Sequence, residues 1–463
     1  MEIRNFLNSY KGKLPIVMFV AVAFAFTSCD LFNLDVDNPD DLEDAELDVP
    51  ENIPSIVAGV HGDFAYMMTQ PGGGGIITNG ALLTDELVHV GTWVGMRGLS
   101  NGWTEDDWVE AQSRWAEPSS ARWTAEEMLP RVRNLVEEDG DDPDASPAVA
   151  EIAMWAGHAN RVMGDTFPIA VFDGGEPENL TEYYYNAVDY FEEAIEVAQA
   201  AGREDLENSA RGGLAQTLVM LAAYDGEEHW DEALAQASQV ETDFVFEQVH
   251  SLNSSREENN LRWWGYRRDE TGVWGTPFQE WGQHLDDADG SVVEDGDPRV
   301  QWTIRPDEEV GGDGTRPFKP ILKYDSEADN IAVVKGTEMR LLEAEYELHQ
   351  GNYDEVVAKI DEIRAHHGLD EIEEDIDNTD DAWELLMKES GIELWLEGRR
   401  LPNFRRWIET STHPDVIPFD VVRIDDDNPQ NVTEEVDGFF LRVSREEKES
   451  NSNLEMRDYE PKF

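Results

Sequence analysis

The sequence predicts a mainly α-helical fold of paired, repeated helices with long irregular loops between them. Three observations lead there. Apolar residues recur three and four apart in several windows, the spacing of one helix face. Two stretches, 209–240 and 337–368, share a long helix, a glycine turn and a second helix. Between them, residues 251–334 carry no helical period and are rich in Gly, Asp and Trp.

The N-terminus comes first. Arg4, Lys11 and Lys13 precede residues 14–26, thirteen residues without charge. That run is below the roughly 18–20 apolar residues of a spanning helix, and no later run approaches that length. Positive residues, a short apolar core and the small residues Thr27 and Ser28 read as a secretory signal. Cys29 follows, and it is the only cysteine in 463 residues, so no intrachain disulfide is available to it. A buried or redox-active thiol is the alternative. Phe-Thr-Ser-Cys resembles the lipobox of bacterial lipoproteins, which implies cleavage before Cys29 and lipid on its sulfur. Each buried CH2 contributes about 0.8 kcal/mol, so a stable hold takes more than one acyl chain. The expected division is a signal peptide over 1–28, an acidic tether over 29–50 and a single helical domain over 51–463. Within that domain, 51–250 form an N-terminal part, 251–334 a loop-rich insertion and 335–463 a C-terminal part.

The chain has 101 acidic and 35 basic residues, a net charge of −66. The signal segment carries +2, which leaves −68 on the mature chain (−66 − 2). Nucleic acid and anionic membrane surfaces need a basic footprint, so neither is a partner. Disorder is excluded because 40% of residues are hydrophobic and 10% aromatic, enough for a large core. The acid is spread along the whole length, and no lysine occurs between Lys13 and Lys319. This reads as adaptation to high salt: self-repulsion opposes so charged a compact state, and at 1 M salt the Debye length falls to about 3 Å.

Residues 53–70 carry Ile53, Ile56, Val57, Val60, Phe64 and Met67 on one helical side, and the glycines at 71–75 end that helix. No Gly-Lys-Ser/Thr follows, so this is no phosphate loop. Residues 76–123 mix turn residues with tryptophan. Helices are expected over 148–163 and 180–202, the second with Thr181 as N-cap and Gly202 as stop. In the two helix pairs an aromatic stands three residues before a small apolar residue, Trp230 with Ala233 and Tyr353 with Val356. That pattern resembles tetratricopeptide repeats, units of about 34 residues stacked on their neighbours. The last helix is expected over 381–409, ended or kinked by Pro402. Glu389, Glu393 and Glu397 fall on one face of it and repel. They therefore require cations: Arg405, Arg406 or a neighbouring helix. Trp395, Leu396 and Trp407 are assigned to the core.

Catalysis is not expected. No zinc-binding His/Cys spacing occurs, and carboxylate pairs carry no signal in so acidic a chain. The Asp-rich stretch 286–295 misses the calcium-loop spacing, since Gly290 in its sixth position puts Leu285 in the first. No metal or cofactor is expected. Fifteen tryptophans are the informative residues, and ten lie outside the helix pairs, including Trp93, Trp103, Trp108, Trp115 and Trp123 within 31 residues. Flat apolar rings match the C–H face of a sugar, and carboxylates or amides bind its hydroxyl rim. About seven of the ten are expected to cover the helices or fill core, leaving three for ligand.

Taken in order, "TDELV" (84–88), "GDTFPIAVFDG" (164–174), "EMRLLEAEYELHQGNYDEVVAKIDEIRAHHGL" (338–369), "ESGIELWLEGRRLPNFRRW" (389–407) and "SREEKESNSNL" (444–454) resemble the SusD/RagB family of nutrient-binding outer-membrane lipoproteins. Ser390 and Asn403 stand where the pattern has Arg and Asp, and the closing motif lacks both prolines. The resemblance implies a surface-exposed outer-membrane lipoprotein anchored at Cys29. It would cap a SusC-like TonB-dependent β-barrel transporter and deliver an oligosaccharide, or a peptide, by moving as a lid. A scaffold that only docks proteins is a third reading. The resemblance places ligand contacts on loops of the early and middle segments. There the candidates are Asp85, Trp93 and Arg97, with Trp263, Trp264, Tyr266 and Arg267 of "RWWGYRR", which could equally be cation–π packing inside the fold.

Overall fold

Helix α1 (Ile53–Thr69) buries Ile56, Val60, Phe64, Met67 and Met68. The computed structural model describes residues 47–73, 75–410, 412 and 438–461; Cys29, the signal segment and most of the tether lie outside them. Helices α2 (Ile76–Leu83), α3 (Val94–Ser100) and α4 (Val109–Asp139) follow. Four of the five early tryptophans thus flank or lie on helices, Trp93 and Trp108 at N-caps and Trp115 and Trp123 within α4, contrary to the turn-rich reading of 76–123. The 31-residue α4 hid from its sequence because Pro118 and Pro130 lie inside it and the buried positions of its first half are mostly small or charged, Ala111, Arg114, Ala121, Arg122 and Ala125, while the apolar Leu129, Val132, Leu135 and Val136 come only in its second half.

Five helices come next: α5 (Pro147–Thr166), α6 (Thr181–Ala201), α7 (Glu204–Tyr224), α8 (His229–Ala237) and, after the loop-rich segment, α9 (Gly336–His349). Then come α10 (Tyr353–His366), α11 (Thr379–Glu393), α12 (Arg400–Phe404) and α13 (Arg445–Ser450). From α4 to α10 each helix packs on the next, α8 meeting α9 across the insertion. Trp230 and Ala233 of α8 and Val356 of α10 are buried, the aromatic of α8 lying 6.0 Å from Tyr346 of α9. The repeat pattern therefore describes real stacking. Gly202 takes the left-handed conformation that stops α6, as expected, but Thr181 is the first helical residue and the N-cap position is Leu180, with no side-chain cap; Asn179 Oδ1 accepts from the Thr181 N–H at 3.2 Å. Small sheets staple the loops: β1 (Val88–His89) pairs antiparallel with β3 (Thr271–Gly272), and β2 (Val245–Gln248) with β7 (Ile331–Lys335). A third sheet has the order β5-β4-β6 (Val292–Glu294, Gly282–Asp286, Asp297–Ile304).

The segment 389–407 is the hub. Its helix breaks earlier than Pro402, at residues 394–399, where Leu396 and Gly398 take positive φ. A leucine there costs about 1–3 kcal/mol and persists only if its surroundings hold it. They do: the Leu396 N–H donates to Glu86 at 2.7 Å and Tyr324 donates to the Leu396 carbonyl at 3.1 Å. Pro402 falls in the first turn of α12, where its missing N–H leaves nothing unpaired. The three glutamates meet cations from other elements. Arg299 and Arg364 reach Glu389 (2.8 Å each), Lys335 and His367 reach Glu393 (2.7 and 2.8 Å), and Lys323 reaches Glu397 (2.7 Å). Arg405 and Arg406 are not their partners, because both point to other elements.

Each arginine of this segment ties down another of the quoted motifs. Arg399 binds Asp165 and Glu338, Arg400 binds Asp85, Arg405 donates to the Gly164 and Phe167 carbonyls, and Arg406 binds Glu345. Trp395, Leu396 and Trp407 are buried, as expected.

Candidate functional site

The early and middle loops meet at a clip made by β1 and β3. Beyond the strand pairing, the Val90 N–H donates to the Glu270 carbonyl, and the Glu270 carboxylate takes His89 Nε2 at 3.1 Å and the Thr92 N–H at 3.0 Å. Gly91 is required here, since a Cβ would stand 1.7 Å from Glu270 Oε2. Burial pushes the His89 imidazole down. Burial also works to raise Glu270, but His89, the Thr92 N–H and Arg268 outweigh it and hold that carboxyl below the usual range. A third segment joins through Arg316, which donates to the His89 carbonyl, and Phe318, which packs on Val88 and Val90. The loops are therefore a rigid platform rather than free chain.

Two of the seven sequence candidates are removed from any ligand surface. Asp85 is 2% exposed and both its oxygens accept from Arg400, at 2.8 and 2.7 Å. Trp264 is also 2% exposed, its ring packed edge-on against Trp93 at 5.3 Å. Arg97 is half-buried and spends Nη2 on the Gly91 carbonyl, so it braces the platform.

Trp263–Arg267 form a single π-helical turn, a geometry frequent at functional sites. Cations lie over its rings: Arg262 and Arg305 over Tyr266, Arg267 over Trp263 and Arg268 over Trp264. Tyr266 also donates to Asp287 at 3.0 Å, and exposed Arg267 binds Glu327 at 2.8 Å. Much of "RWWGYRR" is thus internal packing. Trp93, Trp263, Tyr266 and Arg267 retain accessible surface.

The structure adds residues the sequence reading passed over. An open cleft of about 490 Å³ is lined by Thr92, Trp93, Val94, Gly95, Asp107, Trp108, Val109 and Glu110. Val94 and Val109 are 69% and 91% exposed, a local concentration of apolar surface. Trp108 was counted among the clustered tryptophans, but nothing in the sequence shows that residues 107–110 face 92–95. A larger cavity of about 700 Å³ lies against α7, α8 and α9. Its polar lining includes Glu345 and Arg406, already committed to each other, and it borders Thr410 and Thr412, where the described residues stop.

Of the ten tryptophans outside the repeats, Trp115, Trp264 and Trp302 are buried, Trp103 and Trp123 are exposed, and the other five are half-buried. Among the described residues no group of three His, Cys, Asp or Glu is placed to hold a metal ion, and no helix is long and apolar enough to cross a membrane.

Residues 318–461 match the sequence model described as the SusD family. A SusD homolog from Bacteroides thetaiotaomicron is similar in fold at TM-score 0.65, with 15% identity over 91% of this chain and 99% of that one. A SusD superfamily protein from Bacteroides vulgatus gives 0.61, 14% identity and coverage of 88% and 99%. A SusD-like carbohydrate binding protein from the same organism gives 0.58, 14% and coverage of 90% and 98%. No curated protein matches the chain in sequence.

Proposed function

The chain belongs to the SusD/RagB family, and on that premise we propose that it is a nutrient-binding lipoprotein that captures oligosaccharides on its loop platform. In this reading lipid on Cys29 holds it at the outside of the outer membrane, and a SusC-like TonB-dependent β-barrel takes over the ligand. The observation that carries the ligand class is that two half-buried indoles, Trp93 after β1 and Trp263 before β3, belong to the two segments the β1–β3 clip joins. A clipped platform presents rings at little ordering cost, and indole faces match the C–H faces of sugars. The likeness in fold to a protein described as carbohydrate binding points the same way.

Calorimetry in molar salt against oligosaccharide and peptide panels tests this. We expect a sugar to bind, and Trp93→Ala with Trp263→Ala to weaken it at least tenfold while the fold survives. Trp264 is left out of that pair, because truncating a buried indole costs about 3–5 kcal/mol of stability. Binding of peptides alone would overturn the sugar assignment. Mass spectrometry showing a mature N-terminus without acyl chains would overturn the anchor.

A further inference from the structure

Helix α3 presents two glycines one turn apart toward the start of α4. At Gly98 a Cβ would stand 1.7 Å from the Trp108 ring, and at Gly95 a Cβ would stand 2.4 Å from Glu110 Oε2. Trp108 and Glu110 therefore lie flat on bare helix, which fixes an indole and a carboxylate side by side in the 490 Å³ cleft. Behind them is Arg114, 2% exposed. Its Nη2 would be 3.2 Å from the same Cβ at Gly95, so it is aimed at the point the Glu110 carboxylate occupies. Its Nε and Nη2 are buried with no hydrogen-bond partner. A buried guanidinium left without full pairing is costly, and its position behind Glu110 sets a positive charge beside that carboxylate at the cleft.

We propose that Trp108 and Glu110, positioned by Gly95, Gly98 and Arg114, form a second sugar subsite beside Trp93, selective for uncharged sugar rings. The inference rests on the oligosaccharide reading above. An uncharged ring lies on Trp108, and its hydroxyl donates to Glu110, a charge-assisted bond. Asp107, whose carboxylate pairs with Arg445 at 3.1 Å, lines the same cleft with Glu110, and no cation is among the lining residues. A uronate or sulfated ring brings like charge into this site, so acidic saccharides are rejected.

The test uses the mature chain in molar salt and six-residue probes: gluco-, xylo- and manno-oligosaccharides against oligogalacturonate. At least one neutral probe binds and oligogalacturonate does not. Trp108→Ala, Glu110→Gln and Gly95→Ala each lower the affinity for that probe at least tenfold, the loss expected from one charged hydrogen bond or one stacked ring. Gly95→Ala is the discriminating variant, because it displaces the end of the Glu110 side chain and presses on the tip of Arg114, with no backbone among the atoms it meets. Trp123→Ala, an exposed indole elsewhere on α4, changes nothing. A neutral probe that binds the three variants as tightly as the parent overturns this subsite and leaves the sugar reading standing. Oligogalacturonate binding as tightly as the neutral probe overturns the selectivity. No sugar binding at all overturns both readings.

Discussion

Removing the Asp85 carboxylate strands a charge in the hub. Arg400 Nε and Nη2 donate to its two oxygens at 2.8 and 2.7 Å, and both side chains are buried. Removing one partner of a buried pair costs about 3–5 kcal/mol, because the survivor keeps its desolvation penalty without its counter-charge. Unfolding entropy of about 2.1 cal/mol/K per residue over the folded domain makes that roughly 3–6 °C in Tm. Asp85→Ala should therefore lose that much in a thermal melt in molar salt. Salt at this strength screens surface charges but not this pair. Asp85→Leu with Arg400→Met should recover most of the loss, since hydrophobic replacement of a buried pair is near neutral or stabilising. It still forfeits the Arg400 Nη1 bond to the Met387 carbonyl at 2.8 Å. A loss below about 1 kcal/mol in Asp85→Ala, or a double variant no better than the single, would refute the structural role. Weakened sugar binding at unchanged Tm would return Asp85 to the ligand face.

Glu345 is buried, which alone would raise its pKa, but Arg406 and His349 outweigh burial and hold it at about 2. A depressed carboxyl stabilises the fold above its unfolded value near 4.5 and loses that contribution as pH falls toward 2, roughly 3 kcal/mol in all. An acid titration of unfolding should show the loss in this window, and Glu345→Gln should flatten it. Glu86 behaves oppositely: burial raises it to about 8, with the Leu396 N–H and Arg400 opposing. Its protonated form fits the fold, so its contribution is full below about pH 4.5 and lost as pH rises to 8. Glu86→Gln keeps an acceptor for the Leu396 N–H and should raise Tm at pH 8; a lower Tm there would count against this account. With net charge −66, Tm should climb between dilute buffer and molar salt. A flat response would end the high-salt reading.

The arginine-rich segment shows how far the sequence could be read. Its motif was visible, and so was the need of Glu389, Glu393 and Glu397 for cations. The partners were not, because Arg299 and Lys323 lie in the loop-rich segment and Lys335 directly after it, tens of residues away and with no period to place them. Arg405 and Arg406, the candidates named from the same segment, go elsewhere. Trp93, a candidate by residue type, keeps accessible surface. Its neighbour Trp264 was chosen for its residue type, and packing buried it.

What the chain determined by itself is local. Apolar spacing of three and four placed the helices of the repeats, because that period is a property of the helix alone. It also wrote a net negative charge, which disfavours a polyanionic surface as a general partner. Tertiary structure decided which indoles are walls and which are core. It also brought residues 92–95 against 107–110 and 84–93 against 263–275. The reason is physical. A helix face is defined by neighbours within a turn, whereas a binding face is defined by which loops close on one another. That closure depends on strand pairing, glycine contacts and buried charge pairs between residues hundreds of positions apart.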